Sequence, residues 1–142
     1  EFLLFSGAEL SADPDGKPVR KYLTDAYAFE PKQGWRKLTA LPRAAVAAPS
    51  PALVTAGKTH VFSGDDGLQV GQDPQKHRGF PAEVLSYDLT TDRWTRSKLP
   101  APRVTAPNVF WRGQSITISG EQRPGVRSPQ VWSTQQQKDN SP

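Results

Sequence analysis

Glu121 and Arg127 stand six residues apart in the run Ser119-Gly-Glu-Gln-Arg-Pro-Gly-Val-Arg-Ser128, with Pro124-Gly125 between them. A carboxylate whose pKa is brought near working pH by burial or neighbours can serve as a general acid or base. A guanidinium stays protonated, so Arg127 is no ordinary proton donor. Its planar fork is suited to holding a carboxylate or a developing negative charge. Pro-Gly is a turn signal, and a turn there folds the run back so that both side chains face one pocket. The same spacing also suits a surface loop whose Glu and Arg merely pair or solvate, and spacing alone leaves both readings open.

Other chemistries are excluded more firmly. The 142 residues contain no Cys, which removes disulfides, thiolate nucleophiles and zinc-thiolate sites. The two histidines, His60 and His77, form no zinc pattern, and there is neither a glycine-rich phosphate loop nor a Gly-x-Ser-x-Gly elbow. Lys and Arg number 18 against 14 Asp and Glu, and this net charge of +4 is scattered, which argues against nucleic acid as a partner. No apolar run approaches the roughly 20 residues of a membrane-spanning helix. The chain opens at Glu1 and lacks Met, so a processed form or a portion of a longer protein is expected, and the compartment is not legible.

The elements that must position Glu121 and Arg127 follow from composition and repetition. Fourteen Pro and eleven Gly rule out a mostly helical protein, while four Trp, six Phe and three Tyr argue for a packed core. Phe2-Leu-Leu-Phe-Ser-Gly7, Thr59-His-Val-Phe-Ser-Gly64 and Ser115-Ile-Thr-Ile-Ser-Gly120 place the same ending 57 and then 56 residues apart. Trp35 and Trp94 close strand-like segments 59 apart, Leu41-Pro42 and Leu99-Pro100 follow at a spacing of 58, and Val46-Ala-Ala-Pro49 matches Val104-Thr-Ala-Pro107. Val84, Ser86 and Asp88 alternate with Leu85, Tyr87 and Leu89, the period of a half-buried strand. Gly57-Lys58 and Arg112-Gly113 read as hairpin turns, and the Ser-Gly position is expected to close the inner strand. Each repeat is then a small four-stranded sheet that must stack on copies of itself.

Apolar strand, Gly, long loop, Tyr-Asp, Trp and Leu-Pro with a following Arg resembles the kelch repeat. The resemblance implies an all-β fold of kelch-type β-propeller blades, with the extra length placed in loops from Ala8 to Leu23 and from Asp65 to Ala82. Residues 1–132 then form the propeller segment, with incomplete blades at both ends, and 133–142 a polar tail or linker. The segment Gly120-Glu-Gln-Arg-Pro-Gly-Val-Arg-Ser128, together with Gly79-Phe-Pro and Glu83-Val-Leu-Ser-Tyr-Asp88, resembles the N-acetylneuraminate epimerases. These are sialic-acid mutarotases on a cyclically permuted, six-bladed kelch propeller. At this period the chain supplies about two and a half blades, so further copies or a second polypeptide are expected to close the ring.

The family resemblance implies that Glu121 and Arg127 are the catalytic pair of an isomerase of a 2-keto sugar acid, working without metal or cofactor. It also implies an exported, often periplasmic enzyme. Long loops of a propeller converge at one end of the central channel, which places Asp65, Asp66, His77 and Arg78 as substrate-binding candidates, with Glu9 and Arg20 on the first loop. His77 is either a proton shuttle or a solvated loop residue. Arg43 and Arg103, each following a Leu-Pro, either face a ligand carboxylate or pair between blades. Trp35 and Trp94 are expected to pack between blades, and Trp111 and Trp132 either to join the core or to stack on a sugar. The alternatives to an enzyme are a kelch-type module binding protein or glycan without catalysis, or the propeller part of a larger protein.

Overall fold

The computed structural model describes residues 1–135, which form twelve strands and no helix long and apolar enough to cross a membrane. The first sheet holds β1 (Phe2–Ala12), β2 (Pro18–Glu30) and β3 (Gly34–Lys37) in that order. The second holds β4 (Leu53–Thr55), β5 (Lys58–Phe62), β6 (Glu83–Asp88) and β7 (Arg93–Lys98), again in sequence order. The third opens with β8 (Asn108–Trp111) and β9 (Gln114–Ile118). It leaves for a short hairpin of β10 (Glu121–Arg123) and β11 (Val126–Arg127), and returns as β12 (Val131–Gln135), with order β12-β9-β8. All pairings between these strands are antiparallel, and the architecture is that of kelch-type propeller blades: one complete, flanked by two that are each a strand short among the described residues.

The local chemistry explains the strands. In β6, Val84, Leu85 and Tyr87 are buried while Glu83, Ser86 and Asp88 are half-exposed, close to the alternation read from the sequence. The β4–β5 and β8–β9 hairpins turn on Ala56-Gly57 and Arg112-Gly113, whose φ values of 47° and 72°, and 49° and 76°, are those of two-residue turns matched to strand twist. In the middle blade the turn therefore sits one residue earlier than Gly57-Lys58.

Two expectations need correction. The Ser-Gly strand is not the inner edge of its blade: β5 lies between β4 and β6, and β9 between β8 and β12. Nor is the first stretch from Ala8 to Leu23 a loop. β1 bulges between Phe5 and Gly7 and then continues against β2 as far as Ala12↔Pro18. Asp13-Pro-Asp-Gly16 supplies the turn, with Asp13 Oδ1 accepting from the amides of Asp15 and Lys17 at 2.9 and 2.8 Å. Polar composition signalled a loop, but a ladder of backbone hydrogen bonds with Glu9 opposite Lys21 needs no apolar face to form. At the other end, β12 extends three residues into the segment read as a tail, and 136–142 lie outside the described residues.

The main core lies between the first two blades. Ala26 and Ala28 of β2, Leu38 and Leu41 of the crossover, and Val61, Leu85 and Tyr87 of the second sheet are all buried, with Phe5 and Trp94 packed against them. Trp94 holds an inter-blade position: its indole lies tilted against Tyr87 at 4.9 Å between ring centres and edge-on to Phe5 at 5.2 Å, and its Nε1 donates to the Thr39 carbonyl of the crossover at 2.9 Å. Trp35, its counterpart, is 55% exposed on the face of the first blade that has no neighbour among the described residues.

Asp92 completes this strap. Its carboxylate accepts from the Thr39 amide and hydroxyl at 2.9 and 2.8 Å and from the Tyr87 hydroxyl. The Tyr87 hydroxyl bond, followed by the two from Thr39, holds the Asp92 carboxyl below its ordinary pKa. A depressed folded-state pKa contributes stability above the unfolded value of about 4, lost as pH falls through the folded value. Asp92→Asn is therefore expected to be less stable than wild type at neutral pH, with the difference closing in acid. Urea denaturation at stepped pH measures this, and a gap that does not shrink as the pH falls below about 4 would contradict it.

Candidate functional site

Glu121 and Arg127 are brought together by the β10–β11 hairpin, where they are direct cross-strand partners. Pro124-Gly125 makes the turn, with Gly125 at φ 73°. Arg127 Nη2 lies 3.3 Å from Glu121 Oε1 and 3.5 Å from the Thr105 hydroxyl. The guanidinium is largely exposed and the carboxylate is only partly so. Thr105 is itself unusual, a β-branched residue in the left-handed region at φ 51°. Its amide donates to the Ala47 carbonyl at 2.8 Å, which helps hold that conformation.

The repeat explains why a carboxylate sits there. Glu121 exchanges both backbone hydrogen bonds with Val104, at 2.9 and 3.0 Å, as Asp65 does with Val46 one blade earlier. The residue after Ser-Gly is thus fastened by the incoming inter-blade segment in both blades, and in both it is acidic. Asp65 accepts from the Tyr22 hydroxyl at 3.1 Å and the Gly67 amide at 2.9 Å. Burial, then the Asp65 charge, raises the Tyr22 pKa.

Arg43 and Arg103 do the same job in successive blades: each guanidinium donates to the carbonyl of the left-handed serine in the next Ser-Gly, Ser63 at 2.9 Å and Ser119 at 2.7 Å. Arg43 also meets Glu83 Oε2 at 3.0 Å and the Ala44 carbonyl. Arg103, 1% exposed, is held further by the carbonyl and side chain of Gln130 and lies 5.6 Å from the centre of the Trp132 ring. Burial lowers its pKa. Between the two candidate roles, both guanidiniums are engaged by the protein itself.

A cavity of about 780 Å³ opens between the first hairpin and the second long loop, bounded by Arg43, Asp66, Arg78, Phe80, Glu83 and Arg96 among others. It gathers three of the expected binding residues, Arg43, Asp66 and Arg78. Asp65 is off the lining and bonded to Tyr22, which is on it. His77 is buried, its ring against Phe80 and its Nδ1 accepting from the Gly79 amide, so it does not face the mouth. Arg103 lines a separate cleft of about 200 Å³ beside Trp132. Glu121 and Arg127 are not on the lining, but their hairpin adjoins it: a Cβ placed on Gly79 would lie 3.5 Å from the Gln122 carbonyl.

Tyr22, Gln69, Glu83 and Arg96 are the cavity residues that sequence reasoning passed over. Glu83 lies between two guanidiniums, 3.0 Å from Arg43 and 3.6 Å from Arg96. These contacts join residues 40 and 13 positions apart, and no local spacing announces them. Tyr22 had one local signal, the Asp15-Gly16 turn, which fits a hairpin as well as a loop.

No protein-family profile matches the chain, and no curated protein sequence does. Among solved structures, that of YjhT resembles it with a TM-score of 0.67 at 18% identity, over 100% of this chain and 52% of YjhT. The chain thus spans about half the length of that protein, and the likeness establishes the fold: kelch-like propeller blades.

Proposed function

We propose that the chain carries the acid/base site of a mutarotase that interconverts the anomers of N-acetylneuraminic acid or a related 2-keto sugar acid. The observation that carries this reading is the cross-strand pairing of Glu121 with Arg127 on a hairpin beside a sugar-sized cavity. The resemblance of Gly120–Ser128 to the epimerase motif supports it. In this mechanism the Glu121 carboxylate takes the proton of the anomeric hydroxyl as the ring C–O bond breaks. The ring oxygen takes a proton from water, and on reclosure at the other face of the keto carbon it gives that proton back to water while Glu121 returns its own to the new anomeric hydroxyl. Arg127 holds negative charge on the reacting sugar in place and moves no proton. The chemistry requires neither metal nor cofactor.

Further blades complete the ring in this reading. The open edge of β1, with Phe2 60% and Leu4 47% exposed, is where the first blade lacks a strand on the other side of β1 among the described residues.

A second reading, a module that binds without catalysis, is favoured by one feature: Glu121 and Arg127 lie beside the cavity lining and not on it. A proton NMR time course on α-N-acetylneuraminic acid freshly released by a sialidase separates the two. Faster α-to-β conversion than in buffer is expected. No acceleration by folded protein would end the enzymatic reading for this chain and leave the binding module.

A further inference from the structure

The cavity holds three guanidiniums, and the structure distinguishes them. Arg43 is committed: its Nε, Nη1 and Nη2 all donate to protein acceptors, namely Glu83, Ala44 and Ser63. Arg96 shares Glu83 and donates to the Pro42 carbonyl at 3.2 Å. Arg78 makes no ion pair among the described residues, and its side chain is exposed at the cavity.

Its backbone, in contrast, is firmly mounted. The Arg78 amide donates to Gln69 Oε1 at 2.9 Å, and Gln69 Nε2 donates to the Gly79 carbonyl at 2.9 Å. The Gly79 amide donates to His77 Nδ1 at 3.1 Å, and His77 is only 6% exposed. One side-chain amide and one buried imidazole thus pin the peptide units on both sides of Arg78. A guanidinium held on an anchored turn, without a partner and over a cavity, loses less freedom on meeting an anion than one on a mobile loop. The cavity also offers the Phe80 ring and the carboxylate of Asp66, an apolar surface and an acceptor suited to a polyhydroxylated ring.

We propose that this cavity binds a carboxylate-bearing sugar and that Arg78 receives the carboxylate. The inference rests on the sugar-acid reading for the ligand class and on the cavity for the place; Gln69 and His77 are positioning residues for it. The test is calorimetric titration of wild type and Arg78→Gln with N-acetylneuraminic acid and with its methyl ester, which differ in the charge of one group.

Wild type is expected to prefer the free acid about ten- to a hundredfold, the range of a charge-assisted hydrogen bond. Arg78→Gln is expected to lose that preference while keeping wild-type affinity for the ester, which also shows that the variant folds. A preference retained in Arg78→Gln, or no binding of either compound by wild type, would overturn the proposal. Mutarotation is measured separately on the same samples. Turnover indifferent to Arg78 leaves the enzyme and removes this site, whereas Arg78-dependent binding without turnover keeps the site and removes the enzyme.

Discussion

Gly64→Ala is expected to destabilise the fold by about 3 kcal/mol, from a left-handed backbone together with overpacking. Gly64 has φ 83°, and a Cβ there would lie 2.6 Å from the Cα and carbonyl carbon of Ala45. Those are backbone atoms of the segment that crosses from one blade to the next, and they cannot swing aside as a side-chain tip can. The third copy of the motif meets the same constraint, since a Cβ on Gly120 would lie 2.8 Å from Ala106 Cβ and 3.0 Å from the Val104 carbonyl. The first copy does not: Gly7, at φ 130°, has nothing within 4 Å. Gly7→Ala is therefore the internal control, expected to cost about 1 kcal/mol from backbone conformation alone. Urea denaturation of the two variants reads the difference, and equal losses would mean that the crossover contact contributes nothing.

That contrast shows what a repeat does and does not reveal. Ser-Gly recurs at 6–7, 63–64 and 119–120, and its periodicity marks one strand repeated in successive blades. Ser6, Ser63 and Ser119 indeed share one left-handed conformation, at φ 59°, 54° and 58°. The reason for the motif was not in the sequence, because the atoms that forbid a side chain at Gly64 belong to Ala45. The arginines after Leu-Pro were read on the same terms. Their recurrence was visible, whereas their target, the carbonyl of the next blade's left-handed serine, is a long-range partner. The first hairpin was missed because a polar strand stabilised by cross-strand pairing leaves no apolar alternation to find. The Glu121–Arg127 juxtaposition, by contrast, was legible, since Pro-Gly fixes a tight turn and a short hairpin then sets the register by itself.

Glu121→Gln carries the largest expected effect on activity, a fall in turnover of about a hundred- to ten-thousandfold, the usual range for a general acid or base. Gln keeps the size of the side chain and an oxygen for Arg127 Nη2, now 3.3 Å from Glu121 Oε1, so the hairpin and its neighbours have no cause to move. It cannot accept a proton from the anomeric hydroxyl. The loss should therefore fall on kcat, with KM close to wild type, as for an interaction needed only while the bond breaks. Arg127→Lys should differ in kind: it keeps the charge but loses the planar fork that can hold two oxygens at once. If Arg127 orients the reacting sugar through that fork, KM rises while kcat falls. If it serves only as a countercharge, Lys suffices. Glu121→Gln with undiminished turnover would exclude Glu121 as the base, and the hairpin pair would then be a surface ion pair beside a binding cavity.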